Sequence, residues 1–235
     1  DELGVRHRRV VATSAARDAA NSAEFFAGVR ARLGVDAEVI PGEEEARLSY
    51  AGALSALPDV AQPVLVMDIG GGSTELVPGS DVGPTRAVSL DVGSVRLRER
   101  FLHSDPPVPA EIGAARDQVD ALLDSCGIDF ASVASWVGVG GTVTSLSALA
   151  QGLPSYDRAR VHGSVLARAD LAALTGRLLE LPIAQVVTLP TMVPGRADVI
   201  CAGALICATV ARRVPAELFV SEADILDGIV LGLAG

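Results

Sequence analysis

Aromatic side chains make up only 3% of the 235 residues, too few for the stacking platform that single-stranded nucleic acid needs. Positive charge is also scarce. The 19 basic and 29 acidic side chains give a formal charge of −10, which argues against a general binder of nucleic acid or anionic membranes, because those partners need a basic field. Cys126, Cys201 and Cys207 form no CxxC pair and the three histidines are scattered, so the chain offers no zinc framework. The longest apolar run, Ala197 to Ala211, is too short to cross a bilayer and contains Asp198; it reads as a buried helix. No basic-then-apolar leader opens the chain, and the cytoplasm is the expected compartment. Neither GxxxxGK[ST] nor GxGxxG occurs, which demotes both the Walker and the Rossmann nucleotide folds.

What is present is glycine in two places. Val64 to Met67 reads as a buried strand that delivers Asp68 into the turn Gly70-Gly71-Gly72, and a second strand leaves carrying Ser73, Thr74 and Glu75. Without Cβ atoms, backbone N–H groups can close on an anion together while neighbouring carboxylates bind a metal ion or water. The plainer alternative is a hairpin whose glycines only permit a tight turn. A second turn, Gly138-Val139-Gly140-Gly141-Thr142, stands where a strand runs into a helix, a position that adds free N–H groups and a positive dipole end. Alone it reads as close packing of helix on strand; with the first turn it points to phosphate.

Elsewhere strand and helix patterns alternate, and an α/β fold is expected. Strands are predicted at 9–13, 37–40, 64–67, 75–77, 87–90, 135–138 and 218–221. Helices are predicted at 15–20, 22–33 with Asn21 or Ser22 as cap, 43–57, 93–101, 109–125, 143–151, 169–179, 196–213 and 225–233. Pro58 and Pro63 flank a plausible boundary, dividing the chain into 1–60 and 61–235. Glu43, Glu44 and Glu45 suit a helix N-terminus, and Arg47 is placed either to bind phosphate or to pair with Glu43. Arg196 and Asp198 read as caps of the last long helix, His103 and His162 receive no chemistry, and the cysteines are expected in the core.

Taken in order, Ala12 to Ala19, Pro41 to Leu48, Asp68 to Leu76, Gly138 to Thr142 and Gly195 to Ile200 resemble the motif series of the exopolyphosphatase and guanosine pentaphosphate phosphohydrolase (Ppx/GppA) family. That family lies within the acetate kinase, sugar kinase, Hsp70 and actin superfamily. The resemblance implies ribonuclease H-like, actin-type domains, each a mixed sheet flanked by helices, with phosphates held in the cleft between them. It also implies release of phosphate from inorganic polyphosphate, or from guanosine pentaphosphate, with Mg²⁺. Glu45 matches the family's catalytic glutamate, and Asp68 and Glu75 are candidates to hold metal or orient water. Gly70, Gly71, Gly72, Ser73 and Thr74 would bind phosphate on one side, and Gly140, Gly141 and Thr142 on the other. Arg17 faces either the cleft or solvent. The superfamily's first phosphate turn has no counterpart here and the chain opens at Asp1 without Met, so a first domain shortened at its N-terminus is expected, and a homodimer is a reasonable prior. A kinase-like phosphotransferase and a noncatalytic polyphosphate or alarmone binder are the alternatives.

Overall fold

The computed structural model of the chain describes residues 8–12, 16, 19, 21–57 and 60–234. Its first elements are β1 (Val10–Ala12), α1 (Ser22–Leu33), β2 (Ala37–Val39) and α2 (Gly42–Ser55). A meander follows: β3 (Val64–Ile69), β4 (Thr74–Ser80), β5 (Gly83–Pro84) and β6 (Val88–Leu90). Next come α3 (Ser94–Phe101), α4 (Pro109–Ser125), β7 (Ser135–Val139), α5 (Gly140–Ala150), α6 (Arg158–Val161) and β8 (Val165–Leu166). The chain continues with α7 (Arg168–Glu180), α8 (Ile183–Val186), α9 (Ile200–Ala211), β9 (Leu218–Val220) and α10 (Ile225–Ala234). Among the described residues no helix is long and apolar enough to cross a membrane.

β1 and β2 form a two-stranded parallel ribbon, and the other seven strands form one mixed sheet in the order β5-β4-β3-β7-β9-β8, with β6 also on β4. β3 and β7 run parallel at its centre, and β4 returns antiparallel. The expected mixed α/β sheet flanked by helices is what forms. β3 is apolar on both faces because it is covered on both. Leu65, Met67 and Ile69 enter the main core with Leu97, Val119, Leu146 and Leu205. Val64 and Val66 meet Ala46, Tyr50 and Ala53 of α2.

The period of two along β3 has a functional consequence. Asp68 follows Val64 and Val66 onto the face that α2 covers, and its cross-strand partner is Glu75. Two carboxylates therefore stand beside the first turn of α2. That turn carries Glu45.

Helix α10 crosses α2 with almost nothing between the backbones. A Cβ on Gly52 would stand 1.8 Å from the Asp224 carbonyl oxygen, and one on Gly228 would stand 2.0 Å from that of Leu48. Ile229 closes a small core there with Ile40 and Leu48.

Several boundaries differ from expectation for local reasons. α5 begins at Gly140 rather than Val143, so the second glycine turn is itself the helix's first turn. α9 begins at Ile200, preceded by a 3₁₀ turn at Pro194–Arg196 that frees Arg196 from the helix. Asn21 occupies the N-cap position of α1, but its side chain makes no cap hydrogen bond. The three cysteines are buried. The helix expected over 15–20 lies largely outside the described residues, as does Arg17.

Candidate active site

The first glycine turn is tied to α3 by its carbonyls. Ser94 N–H donates to Gly70 O (2.9 Å), while Val95 and Arg96 N–H donate to Gly71 O (3.0 and 3.1 Å). Gly93 permits this approach, since a Cβ there would stand 2.4 Å from the Gly71 oxygen. Gly70 N–H closes the turn on Ser73 O at 3.0 Å. Among the described residues, the N–H groups of Gly71, Gly72 and Ser73 have no backbone partner. With carbonyls turned to the helix and N–H groups unspent, the turn has the polarity of an anion cradle.

Gly72, Ser73, Glu75 and Glu45 line a cleft of about 840 Å³. Glu75 is held there by Ser89, whose hydroxyl donates to Oε1 at 2.8 Å. Burial raises the Asp68 carboxyl to about 6, with help from the charges of Glu75, Asp224 and Glu45. Burial also raises Glu45, and Glu75 adds to it. Negative charge nearby and loss of solvent thus both disfavour ionisation of Asp68 and Glu45.

Mg²⁺ fits this donor set. It is a hard ion that takes one or two carboxylates and completes its shell with water and phosphate oxygens. Asp68 and Glu75 offer carboxylate oxygens from paired positions on neighbouring strands, and burial and the surrounding negative charge raise the Asp68 carboxyl. Among the described residues, no group of three or more His, Cys, Asp or Glu side chains is gathered to hold a metal by protein ligands alone.

The second turn backs directly onto Asp68. Gly140 adopts φ +81°, and a Cβ there would stand 2.6 Å from Asp68 Oδ1, so both conformation and space require glycine. Gly140 and Gly141 border a second cavity of about 320 Å³. Arg196 lies against Gly141 and its Nη1 donates to Ser145 Oγ at 3.1 Å. This placement corrects the reading of Arg196 as a helix cap. Asp198 does not cap either, since the N-cap of α9 is Val199 and lacks a side-chain cap bond. Tyr156 closes one side of the cavity through a hydrogen bond to Glu222 Oε1.

The predicted residues therefore divide. Glu45, Glu75, Gly72 and Ser73 line the cleft, Asp68 stands between cleft and second cavity, and Gly140 and Gly141 border that cavity. Thr74 does not reach the cleft: it is fully buried and its hydroxyl donates to Val92 O at 2.6 Å. Thr142 is likewise turned inward, donating to Ile69 O at 3.3 Å and tying one glycine turn to the other. Both hydroxyls are turned into the fold, where they brace the two glycine turns. Among the described residues Arg47 forms no ion pair with Glu43. Sequence reasoning missed Asp224, Thr144 and Ser145 at the second cavity and Arg96 at the cleft. Thr144 and Ser145 sit one turn beyond Gly140 and Gly141, a spacing that could have flagged them.

Comparisons with known proteins place the chain by sequence and by fold. Exopolyphosphatase 2 of Mycobacterium tuberculosis is 45% identical over 241 residues, covering 97% of this chain and 75% of that protein. The crystal structure of an exopolyphosphatase-like protein superposes with a TM-score of 0.91 at 40% identity, covering 99% of this chain and 79% of the other. A Ppx/GppA family member from Aquifex aeolicus superposes with a TM-score of 0.90 at 31% identity, covering 99% and 76%. A sequence model of the Ppx/GppA phosphatase family matches residues 1–234. With the motif order, the fold and nearly the whole length in accord, the chain belongs to the Ppx/GppA phosphatase family.

Proposed function

We propose that the protein is an exopolyphosphatase, hydrolysing the terminal phosphoanhydride bond of inorganic polyphosphate. The observation that carries this reading is the convergence of Glu45, Asp68 and Glu75 beside the unspent N–H groups of Gly71, Gly72 and Ser73. The relatives named exopolyphosphatase support the same substrate.

In this reading the turn N–H groups hold the terminal phosphoryl group and stabilise the charge that develops on its non-bridging oxygens. Glu45, made more basic by burial and by Glu75, takes a proton from the attacking water. The water oxygen forms the new P–O bond in line as the P–O bond to the chain breaks. Orthophosphate leaves along with a chain one unit shorter. Asp68 and Glu75 would hold Mg²⁺, whose chemistry there is neutralisation of phosphate charge.

The test is phosphate release from short polyphosphate, long polyphosphate and guanosine pentaphosphate, in Mg²⁺ and without added nucleotide. Wild-type protein should release phosphate from polyphosphate, and Glu45→Gln should lower kcat by about 10²–10⁴-fold at nearly constant KM. Absence of release from all three substrates would sink the hydrolase reading. A strict requirement for ATP would favour the phosphotransferase alternative.

A further inference from the structure

The cleft beside the first glycine turn is poor in positive charge for a site that meets polyphosphate. Among its described lining residues are four carboxylates, Glu43, Glu45, Glu75 and Asp91, and a single cation, Arg96. The chain contains no lysine at all, so arginine is its one side chain that carries a permanent positive charge to phosphate. Arg96 is well placed for that. It sits in the first turn of α3, whose backbone N–H groups are already spent on the carbonyls of the glycine turn. Its guanidinium lies alongside Gly72, with Nη2 3.6 Å from where a Cβ would stand.

The guanidinium is already occupied. Asp91 pairs with it through Oδ1 and also pairs with Arg100 through Oδ2, at 3.3 Å. Side-chain exposure is 37% for Arg96 and 64% for Asp91, so the pair is open to competition by solvent and by anions. A phosphate group offers a guanidinium two parallel charge-assisted hydrogen bonds, as a carboxylate does, and carries more charge. If Arg96 turns to a phosphate, Asp91 keeps Arg100.

We propose that Arg96 is a substrate-binding residue that grips the phosphate seated in the Gly70–Ser73 turn, and that Asp91 is a displaceable counterion holding it until substrate arrives. This rests on the exopolyphosphatase reading for the nature of the substrate. The arrangement assigns Asp91 a role opposite in sign to that of Arg96. Arg96 draws the anion in, and Asp91 competes with it for the same donors.

The test is titration of tripolyphosphate into the full chain carrying Glu45→Gln, by calorimetry, with steady-state kinetics on the corresponding single variants. Arg96→Gln should weaken binding about tenfold or more and raise KM with a much smaller change in kcat. Arg96→Lys should recover part of the loss, since it restores charge without the planar fork, and Asp91→Asn should tighten binding. Thermal melts of each variant separate these effects from loss of fold. Unchanged binding in Arg96→Gln overturns the proposal, and so does weakened binding in Asp91→Asn, which would make Asp91 a support for Arg96 rather than its competitor. Arg96-dependent binding in a wild-type protein that releases no phosphate would reject the hydrolase reading alone. Phosphate release with binding indifferent to Arg96 would reject only this inference.

Discussion

Asp68 is a carboxylate whose neighbours oppose its charge. Its pKa stands near 6 against an ordinary 3.8 because it is buried and faces Glu75, Asp224 and Glu45. In the unfolded chain it loses its proton at lower pH than in the fold. Between those two values the native state therefore holds more protons, and stability from this group falls as pH rises through the window. Above it the penalty is complete. Metal-free Asp68→Asn protein should accordingly melt higher than wild type at neutral pH, by on the order of 1–3 kcal/mol, with the difference closing toward pH 4. Mg²⁺ should raise the wild-type Tm more than the variant's. A variant that melts below wild type at neutral pH would contradict this account, and either result is read by calorimetry across pH. Asp68 was legible in sequence because it sits where a strand enters a glycine turn, whereas Glu45 was set apart from Glu43 and Glu44 only by the family's motif. Asp224 was not legible, because it reaches the same corner from the far end of the chain.

At the scale of elements, the two glycine turns are held by side chains that resemble ligands in sequence. Thr74 and Thr142 follow glycines just as a phosphate-binding hydroxyl would, and only burial separates the two roles. Thr74 joins the start of β4 to the Val92 carbonyl, two residues ahead of α3. Thr74→Val keeps the shape but leaves that buried acceptor unpaired, which should cost about 1–3 kcal/mol in denaturant unfolding. KM for polyphosphate should change little if the role is bracing; a large KM effect with unchanged stability would return Thr74 to the phosphate site. The regular elements were largely readable from their periods. The 3₁₀ turn before α9 was not, because the run after Pro194-Gly195 looks like continuous helix until Arg196 finds Ser145 across the cavity.

For the whole molecule, the sequence division near residue 60 did not anticipate how α2 is enclosed. One face of α2 packs on the sheet through Ala46, Tyr50 and Ala53, while α10 returns from the C-terminal end to cross it. No local pattern announces that contact, since glycines within helices signal only weak propensity. Gly52→Ala should raise intrinsic helix propensity by about 1 kcal/mol, yet its methyl would meet the Asp224 carbonyl at 1.8 Å. The expected outcome is lower stability together with a kcat reduced about 10–100-fold, because a misplacement of an ångström at the reacting groups has effects of that order. A stabilised, fully active Gly52→Ala protein would show that the crossing yields freely.

The same crossing can be treated as a fulcrum. Glu45 lies seven residues up the helix from Gly52, a lever arm of about 10 Å at 1.5 Å per residue. A swing of roughly 10° about the contact carries the carboxylate about 2 Å across the cleft by the same geometry. Backbone meets backbone at the pivot and Ile40, Leu48 and Ile229 fill the space beside it, so the seating of α10 sets where Glu45 stands in the cleft.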